Sequence, residues 1–322
     1  MKNEIKDIPK AKHKTSIGGQ ALIEGIMMRG PEKISIAVRK PDGEIEIKTD
    51  KLNTFAMKHK FASLPFIRGM VGLVESMMIG VNALLYSAEF WDDEEDNKED
   101  DKEEKNSLFE RIFKDKAEDV SIFLTVLLSI AISIGLFMVL PNLIVSLLRK
   151  NTNNYVFLNL VEGLVRIIIF LIYVTWVSKL EDMKRIFEYH GAEHKSIHCY
   201  EHLEELTVEN IQKYPILHAR CGTSFLFMVM IVSIFVLSFF GWPSPLKRIL
   251  IRILMFPVIA GISYEINRVI GRSSSKLAYY LSYPGLMIQK IATVKEPSPD
   301  QIEVAIAALK EVIPEDSELD KW

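Results

Sequence analysis

The longest uncharged stretch of the chain runs over residues 120–148, where 29 consecutive residues include no Asp, Glu, Lys or Arg. A helix of roughly 20 apolar residues crosses a hydrocarbon core of about 30 Å, because a helix satisfies its own backbone hydrogen bonds where water is absent. Overall, 25% of the residues are charged, as in a soluble protein, but ten of the 15 residues at 92–106 are acidic. This separation of apolar and acidic segments predicts a membrane protein.

Three further segments are long and apolar enough to cross a bilayer, at residues 155–178, 223–242 and 249–270. The sequence therefore predicts an α-helical polytopic membrane protein with about four transmembrane helices, whose even number places both termini on one side. Charged residues inside these spans are costly to bury. We expect Glu162 with Arg166, and Glu265 with Arg268, to neutralise each other or to meet partners across the bundle.

The distribution of basic residues predicts which side faces the cytoplasm. Lys and Arg number 20 before the first span, six at 179–222 and six after the last span, against four in the two short loops at 149–154 and 243–248. The positive-inside rule therefore places both termini in the cytoplasm. Only two cysteines are present, too few for a disulfide framework, which agrees with a reducing compartment.

The partners that these features predict are the lipid bilayer and, further, other membrane proteins. The formal net charge is −3, and the sequence has no basic face or tail of the kind that binds nucleic acid. Nucleic acid is therefore excluded as a partner, and the sequence names no substrate.

The N-terminal region contains the signals of β-structure. Apolar residues alternate with polar ones over residues 34–48, on both sides of the turn tripeptide Pro41-Asp42-Gly43, a pattern typical of a β-hairpin. Residues 16–31 are apolar and interrupted by glycines, which predicts another strand with a close backbone approach. Gly18-Gly19 lacks the spacing and the following helix of a phosphate-binding loop.

The remaining polar segments complete a predicted domain plan. Residues 64–90 are apolar and rich in Met but include Arg68, Glu75 and three glycines, so we interpret them as interfacial or re-entrant helices more than as a span. Ser298, Pro299 and Gln301 predict the start of a short helix that ends near Val312. The plan is a cytoplasmic region at 1–91, an acidic linker at 92–119, two spans at 120–178, a histidine-rich cytoplasmic connection at 179–222, two spans at 223–270 and a cytoplasmic tail at 271–322.

Histidines cluster in the connection between the second and third spans. Five of the seven lie there: His190, His194, His198, His202 and His218. His190 and His194 continue a helical stripe of otherwise apolar residues and are one turn apart, about 6 Å along the helix axis. From that spacing two imidazoles can bind one metal ion.

The segment from His190 to His194 has the form H-x-x-E-H, the reversed version of the zinc-hydrolase helix motif, in which the histidines bind metal and the glutamate activates water. This predicts His190 and His194 as ligands of Zn²⁺ or another divalent transition metal, Glu193 as the catalytic base, and His218 and Cys221 as candidates for the further ligand. The alternatives are a solvated or packed histidine row and an inert buried thiol. A di-iron oxygenase is disfavoured because its sites draw on about eight histidines.

Four motifs together resemble the YqhQ-like family of bacterial membrane proteins, a domain of unknown function. They lie at residues 18–29, 37–43, 188–195 and 220–225, and the resemblance extends from about Ser16 to Leu309. The resemblance implies a metal-dependent enzyme in the bacterial cytoplasmic (inner) membrane.

Two function classes follow from these observations. The first is a metal-dependent membrane hydrolase with a His/Glu/Cys site at the cytoplasmic membrane surface. The alternative is a non-enzymatic scaffold or accessory factor for membrane-protein biogenesis, in which the metal site is structural. A closed sphere of four protein ligands favours the scaffold, whereas an open position beside Glu193 favours the enzyme.

Overall fold

The computed structural model describes residues 11–99, 117–148, 152, 154–273 and 275–322, with only the backbone described at 92–99, 117–123 and 245. Most of the acidic linker predicted at 92–119 therefore lies outside the described residues. The chain divides into two compact units. The first comprises residues 1–91, 173–232 and 256–322, and the second comprises residues 92–172 and 233–255.

The N-terminal part of the first unit is a four-stranded antiparallel sheet in the order β1-β2-β3-β4. Its strands are β1 (Gly18–Leu22), β2 (Gly25–Arg29), β3 (Lys33–Arg39) and β4 (Ile45–Lys51). The predicted hairpin is confirmed as β3 and β4, with Gly43 at a positive φ of 90° in the turn. Residues 16–31, predicted as one strand, form two, because the chain reverses at Glu24.

The described helices make up most of the remaining structure. In chain order they are α1 (Phe55–Lys58), α2 (Ile67–Glu99), α3 (Ala117–Ile134), α4 (Leu140–Ser146), α5 (Tyr155–Val177), α6 (Glu181–Glu201), α7 (Val208–Gln212), α8 (Gly222–Ser238), α9 (Pro245–Arg272), α10 (Lys276–Ile288) and α11 (Pro299–Val312). A short π-helical segment, Gly135–Val139, joins α3 to α4. The predicted C-terminal helix is α11, and the capping box between Ser298 and Gln301 is formed.

The sheet is covered on both faces by helices of the first unit. On one face, Ile26, Met28 and Ala37 pack with buried residues of α6 and α11. On the other face, buried sheet residues such as Leu22 pack against Ala83 and its neighbours on α2. Successive side chains of a strand point to opposite faces, so the same strands contribute side chains to both contacts.

Four described helical segments are long and apolar enough to cross a membrane: Ile67–Trp91, Leu124–Ser146, Tyr155–Val177 and Leu246–Arg272. Three of these correspond to predicted spans. The predicted span at 223–242 is the shorter helix α8, with 17 residues. Residues 64–90 were expected to form a pair of interfacial or re-entrant helices, but from Ile67 onward they belong to one continuous helix, α2.

The glycines of α2 do not interrupt the helix. Two of them lie where another part of the chain comes very close to it. A Cβ at Gly69 would lie 2.6 Å from the Cβ of Tyr264, and one at Gly80 would lie 2.2 Å from Oε1 of Gln20. Next to the first contact, Arg68 donates from Nε and Nη2, which form one edge of its guanidinium group, to both carboxylate oxygens of Glu265. The hydrogen-bonded partner of Glu265 is thus Arg68, which is far away in the sequence. The sequence alone did not identify this partner.

The second unit encloses a group of charged side chains around Glu162. Its buried carboxylate accepts hydrogen bonds from Arg166 at 3.0 Å and from Arg252, and Nη1 of Arg248 lies 3.8 Å away. Arg248 also donates to Asn142 and lies over the ring of Trp242. The predicted pairing of Glu162 with Arg166 is present, and two further arginines share the same carboxylate.

Candidate metal centre

Four histidines follow one another along α6 at intervals of four residues: His190, His194, His198 and His202. Residues four apart lie on the same face of a helix. The ring centroids of His190 and His194 are 4.4 Å apart. From Tyr189 onward most of α6 is buried, so the histidine row lies inside the protein and not on a solvated face.

Backbone carbonyls orient the first two imidazoles. Nδ1 of His190 lies 2.8 Å from the carbonyl oxygen of Thr293, and Nδ1 of His194 lies 2.6 Å from that of Ile216. A carbonyl oxygen only accepts hydrogen bonds, so both Nδ1 atoms carry the proton and both Nε2 atoms keep a lone pair. This is the arrangement in which histidine binds a metal through Nε2.

Cys221 brings a sulfur ligand to the same place from the start of α8. Its Sγ atom lies 3.2 Å from Nε2 of His190, and the ligand atoms of His190, His194 and Cys221 all lie within 4.8 Å of one another. The backbone N–H of Thr223 donates to the sulfur at 3.4 Å. Two imidazoles and a thiolate form a donor set typical of zinc.

Gly191 allows the carbonyl of Thr293 to approach α6. A Cβ at Gly191 would lie 2.0 Å from the carbonyl oxygen of Lys295, so only glycine permits this contact. The backbone N–H of Lys295 donates to the carbonyl of Phe187 at 2.9 Å and holds the segment against the helix. This close approach brings the segment that contains Thr293, the hydrogen-bond partner of His190, against α6.

Glu193 lies beside these donors. Its Oε1 accepts a hydrogen bond from the backbone N–H of Gly19 in β1 at 2.9 Å, and its Oε2 lies 3.9 Å from Nε2 of His190. Burial raises the pKa of this carboxyl, with an opposing effect from His190 and from the Gly19 N–H. A carboxylate with a raised pKa beside a candidate metal site is suited to accept a proton from water.

His218, predicted as a further ligand of the same ion, lies in a second group with His198 and Glu201. Its ring centroid is 4.6 Å from that of His198 and 5.5 Å from that of His194, and its Nε2 lies 3.6 Å from Oε2 of Glu201. Arg220 also binds Glu201. The structure thus divides the predicted ligands into a set of three and a neighbouring group.

Burial favours the neutral form of three imidazoles, those of His194, His198 and His218. Desolvation lowers the pKa of His194 to about 4, with nearby His190 acting in the same direction, and desolvation likewise lowers the pKa of His198 to about 4. Burial also lowers the pKa of His218 well below its usual value. Neutral imidazole is the form that binds metal ions.

Several contributors to the site had no usable signal in the sequence. The carbonyls of Thr293 and Ile216 and the N–H of Gly19 are backbone groups, which no residue type announces. Glu201 lies one turn after Ile197 on the predicted helix, where nothing in the sequence indicates a role. Only its short distance to His218 in the structure identifies it as part of the second group.

A cavity of about 610 Å³ adjoins the three-donor set. Cys221 belongs both to its wall and to the donor set. The rest of the wall comes mainly from α2, α8 and α9, with Arg220 and the C-terminal Trp322. Pockets of 300–1,000 Å³ are typical of small-molecule sites.

Comparisons with known proteins agree with this organisation only at the level of the family. A family model described as "Protein of unknown function (DUF1385)" matches residues 64–315. The "Uncharacterized protein YqhQ" of Bacillus subtilis (strain 168) is 33% identical over 317 residues, which cover 94% of each chain. No solved structure matches the chain. None of these descriptions names an activity.

Proposed function

The chain belongs to the DUF1385 family, whose description states no activity, and from its own residues we propose a metal-dependent membrane hydrolase. The proposal places the reaction at the cytoplasmic surface of a bacterial inner membrane. His190, His194 and Cys221 would hold Zn²⁺ or another divalent transition metal, and Glu193 would serve as the general base.

One observation carries this proposal. Among the described residues, the group around His190 has three ligand atoms, while His218, the other candidate for the further ligand, lies in another group. Catalytic zinc sites use three protein ligands and keep one position for water or substrate, whereas structural sites are closed by four. The carboxylate of Glu193, 3.9 Å from Nε2 of His190, lies beside the set without belonging to it.

The chemistry divides between the metal and the protein. A divalent metal bound by such residues lowers the pKa of water towards about 7 and polarises a carbonyl or phosphoryl oxygen. Glu193 accepts the proton that leaves the attacking water and returns it to the leaving group. Hydrolysis thus places the OH of one water on the acyl or phosphoryl group and its proton on the leaving group, without oxidation or reduction.

The scaffold alternative keeps the metal but gives it a structural role. The second group, His198 with Glu201 and His218, supports it, because these residues are buried and tie α6 to the segment that precedes α8. Gln289 binds both the N–H and the carbonyl of His218 and strengthens this connection. The two classes differ in what they require of Glu193.

Metal content tests the site directly. We expect His190→Ala and His194→Ala to lose stoichiometric metal, with an affinity loss greater than the about 10–100-fold that follows removal of an outer-shell partner. His202→Ala is the matched control, because His202 continues the same row but lies outside the three-donor set. The measurement is elemental analysis of the purified, folded proteins. Wild-type metal content in both variants would refute the site.

We also propose that both termini and the connection at 179–222 face the cytoplasm. The second half of α2 packs through Ile79, Ala83 and Tyr86 on the sheet, whose last strand, β4, is largely exposed, so this helix belongs beside an extramembrane domain. Val74, Met77 and Met78 are exposed on α2 and suit the membrane interface. With α2 at the interface, the short apolar helix α8 supplies the remaining crossing.

Cysteine labelling in intact cells tests this topology. With a membrane-impermeant maleimide, we expect Asn153→Cys to react from outside and Glu204→Cys to react only after permeabilisation. The wild-type protein controls for its own thiols, of which Cys199 is buried. Labelling of Glu204→Cys from outside, without labelling of Asn153→Cys, would invert the proposed topology.

A further inference from the structure

The wall of the 610 Å³ cavity is mostly apolar. Leu73 and Met77 contribute from α2, Phe225 and Leu226 from α8, and Tyr264 from α9. At Gly72 the wall has no side chain, and a Cβ added there would meet nothing within 4 Å. This surface can bury the hydrocarbon part of a ligand.

One cation in this wall has no hydrogen-bond partner in the described chain. The side chain of Arg268 lines the cavity and donates no hydrogen bond to any described residue. Glu265, with which Arg268 interacts electrostatically, is already bound by Arg68 through both of its oxygens. Arg220, the other arginine of the wall, is bound to Glu201. Arg268 is therefore available to an anionic group of a ligand.

The position of the cavity restricts where its ligand comes from. Its walls include α2 and α9, which are long and apolar enough to cross a membrane, and the apolar helix α8. Cys221 belongs to the same wall, so a ligand in the cavity lies next to the candidate metal site. The ligand must therefore match an apolar wall, an available arginine and a position among apolar helices. A molecule with a hydrocarbon chain and a charged head that enters from the bilayer matches all three.

We infer that this cavity binds a membrane lipid with an anionic headgroup, whose acyl chain packs among α2, α8 and α9 and whose head meets Arg268 beside Cys221. The inference deepens the proposed hydrolase, on which it rests for the reaction: the substrate class is an anionic lipid with an ester or phosphoester bond near its head. Binding itself does not depend on turnover.

Photo-crosslinking tests the chain-binding part. The probe is phosphatidylglycerol with a diazirine in one acyl chain, supplied to the full-length protein in phosphatidylcholine vesicles. We expect crosslinks at the cavity wall, and a fall of about tenfold or more in Gly72→Phe, because the added ring occupies the space that buries the chain. Val81→Phe is the matched control, since Val81 lies on α2, is exposed and does not line the cavity.

Competition tests the headgroup part. In the wild type, unlabelled phosphatidylglycerol should compete better than additional phosphatidylcholine, and Arg268→Gln should remove that preference. Equal crosslinking of Gly72→Phe and Val81→Phe would overturn the chain site. An unchanged preference in Arg268→Gln, or displacement of the probe by inorganic phosphate alone, would overturn the anionic-lipid assignment.

The same samples separate this inference from the proposed hydrolase. Metal content and hydrolysis of chromogenic esters are measured beside crosslinking for each variant. If Gly72→Phe does not reduce crosslinking while the protein binds metal and is active, the lipid site is refuted and the proposed hydrolase is retained. If Gly72→Phe reduces crosslinking but hydrolysis does not need Glu193, the proposed hydrolase is refuted and the lipid site is retained.

Discussion

Replacing Glu193 by Gln is expected to lower hydrolysis by about 100- to 10,000-fold while the protein keeps its metal, because a general base contributes a factor of that size. Gln preserves the volume of Glu and can still accept the hydrogen bond that Gly19 donates to Oε1. It cannot take a proton from water. The loss should therefore fall on the rate of hydrolysis and not on folding.

The assay compares wild-type protein, Glu193→Gln and Glu181→Gln in detergent micelles, with p-nitrophenyl carboxyl esters and bis(p-nitrophenyl) phosphate as substrates. Glu181 is a matched control, because it is an exposed glutamate at the start of the same helix, α6. Metal content is measured on each sample, so that a loss of metal is not mistaken for a loss of the base.

The opposite outcome identifies the scaffold. If Glu193→Gln retains metal and hydrolyses at a rate within about threefold of wild type, Glu193 is not the base, since the expected loss is far larger. A structural metal site also predicts that His190→Ala lowers stability, because bound metal contributes to folding. Such a result would leave the His/Cys set as a connection between α6 and the start of α8.

The part of the site that lies on one helix was predictable from sequence. His190, Glu193 and His194 share a periodic segment, so their spacing alone predicts how they face each other. Cys221 was named as a candidate ligand, and the structure places it beside them, but nothing in the local sequence measures that distance. The role of Glu193 and the identity of the metal stay predictions.

The assignment of His218 shows why separate segments are harder to combine. Its ring is close enough to His194 to suggest a common ion, yet its Nε2 faces Glu201 and Arg220. The backbone of His218 is held by Gln289, which lies 71 residues away along the chain and binds both its N–H and its carbonyl. Residue type and spacing do not encode that orientation.

The fold divides in the same way. Local patterns predict three helices that are long and apolar enough to cross a membrane, the β3–β4 hairpin and the cap of α11, and these features are present. The glycines of α2 suggested breaks in the helix, whereas Gly69 serves a close contact with α9 that only tertiary structure defines. Glycine marks either a break or a close approach, and the sequence alone does not distinguish these two.

The second large effect is expected at Glu162, where the charges lie inside the candidate spans. Glu162→Ala removes the carboxylate that Arg166, Arg248 and Arg252 share and leaves their guanidinium groups to repel one another in a buried place. Removing one partner of a buried ion pair costs about 3–5 kcal/mol in the free energy of unfolding. We expect a loss of at least that size.

The decisive comparison is between single and paired substitutions. Glu162→Gln keeps the shape and one accepting oxygen, so it should cost less than Glu162→Ala. Combining Glu162→Gln with Arg252→Met removes one cation together with the negative charge, and it should recover part of the lost stability, since fewer guanidinium groups stay buried without a balancing charge. Unfolding in mixed micelles measures each variant. A cost of less than about 1 kcal/mol for Glu162→Ala would show that the group is a solvated surface cluster. A double variant no more stable than Glu162→Gln alone would show that Glu162 does not stabilise the protein by balancing the positive charge of the arginines.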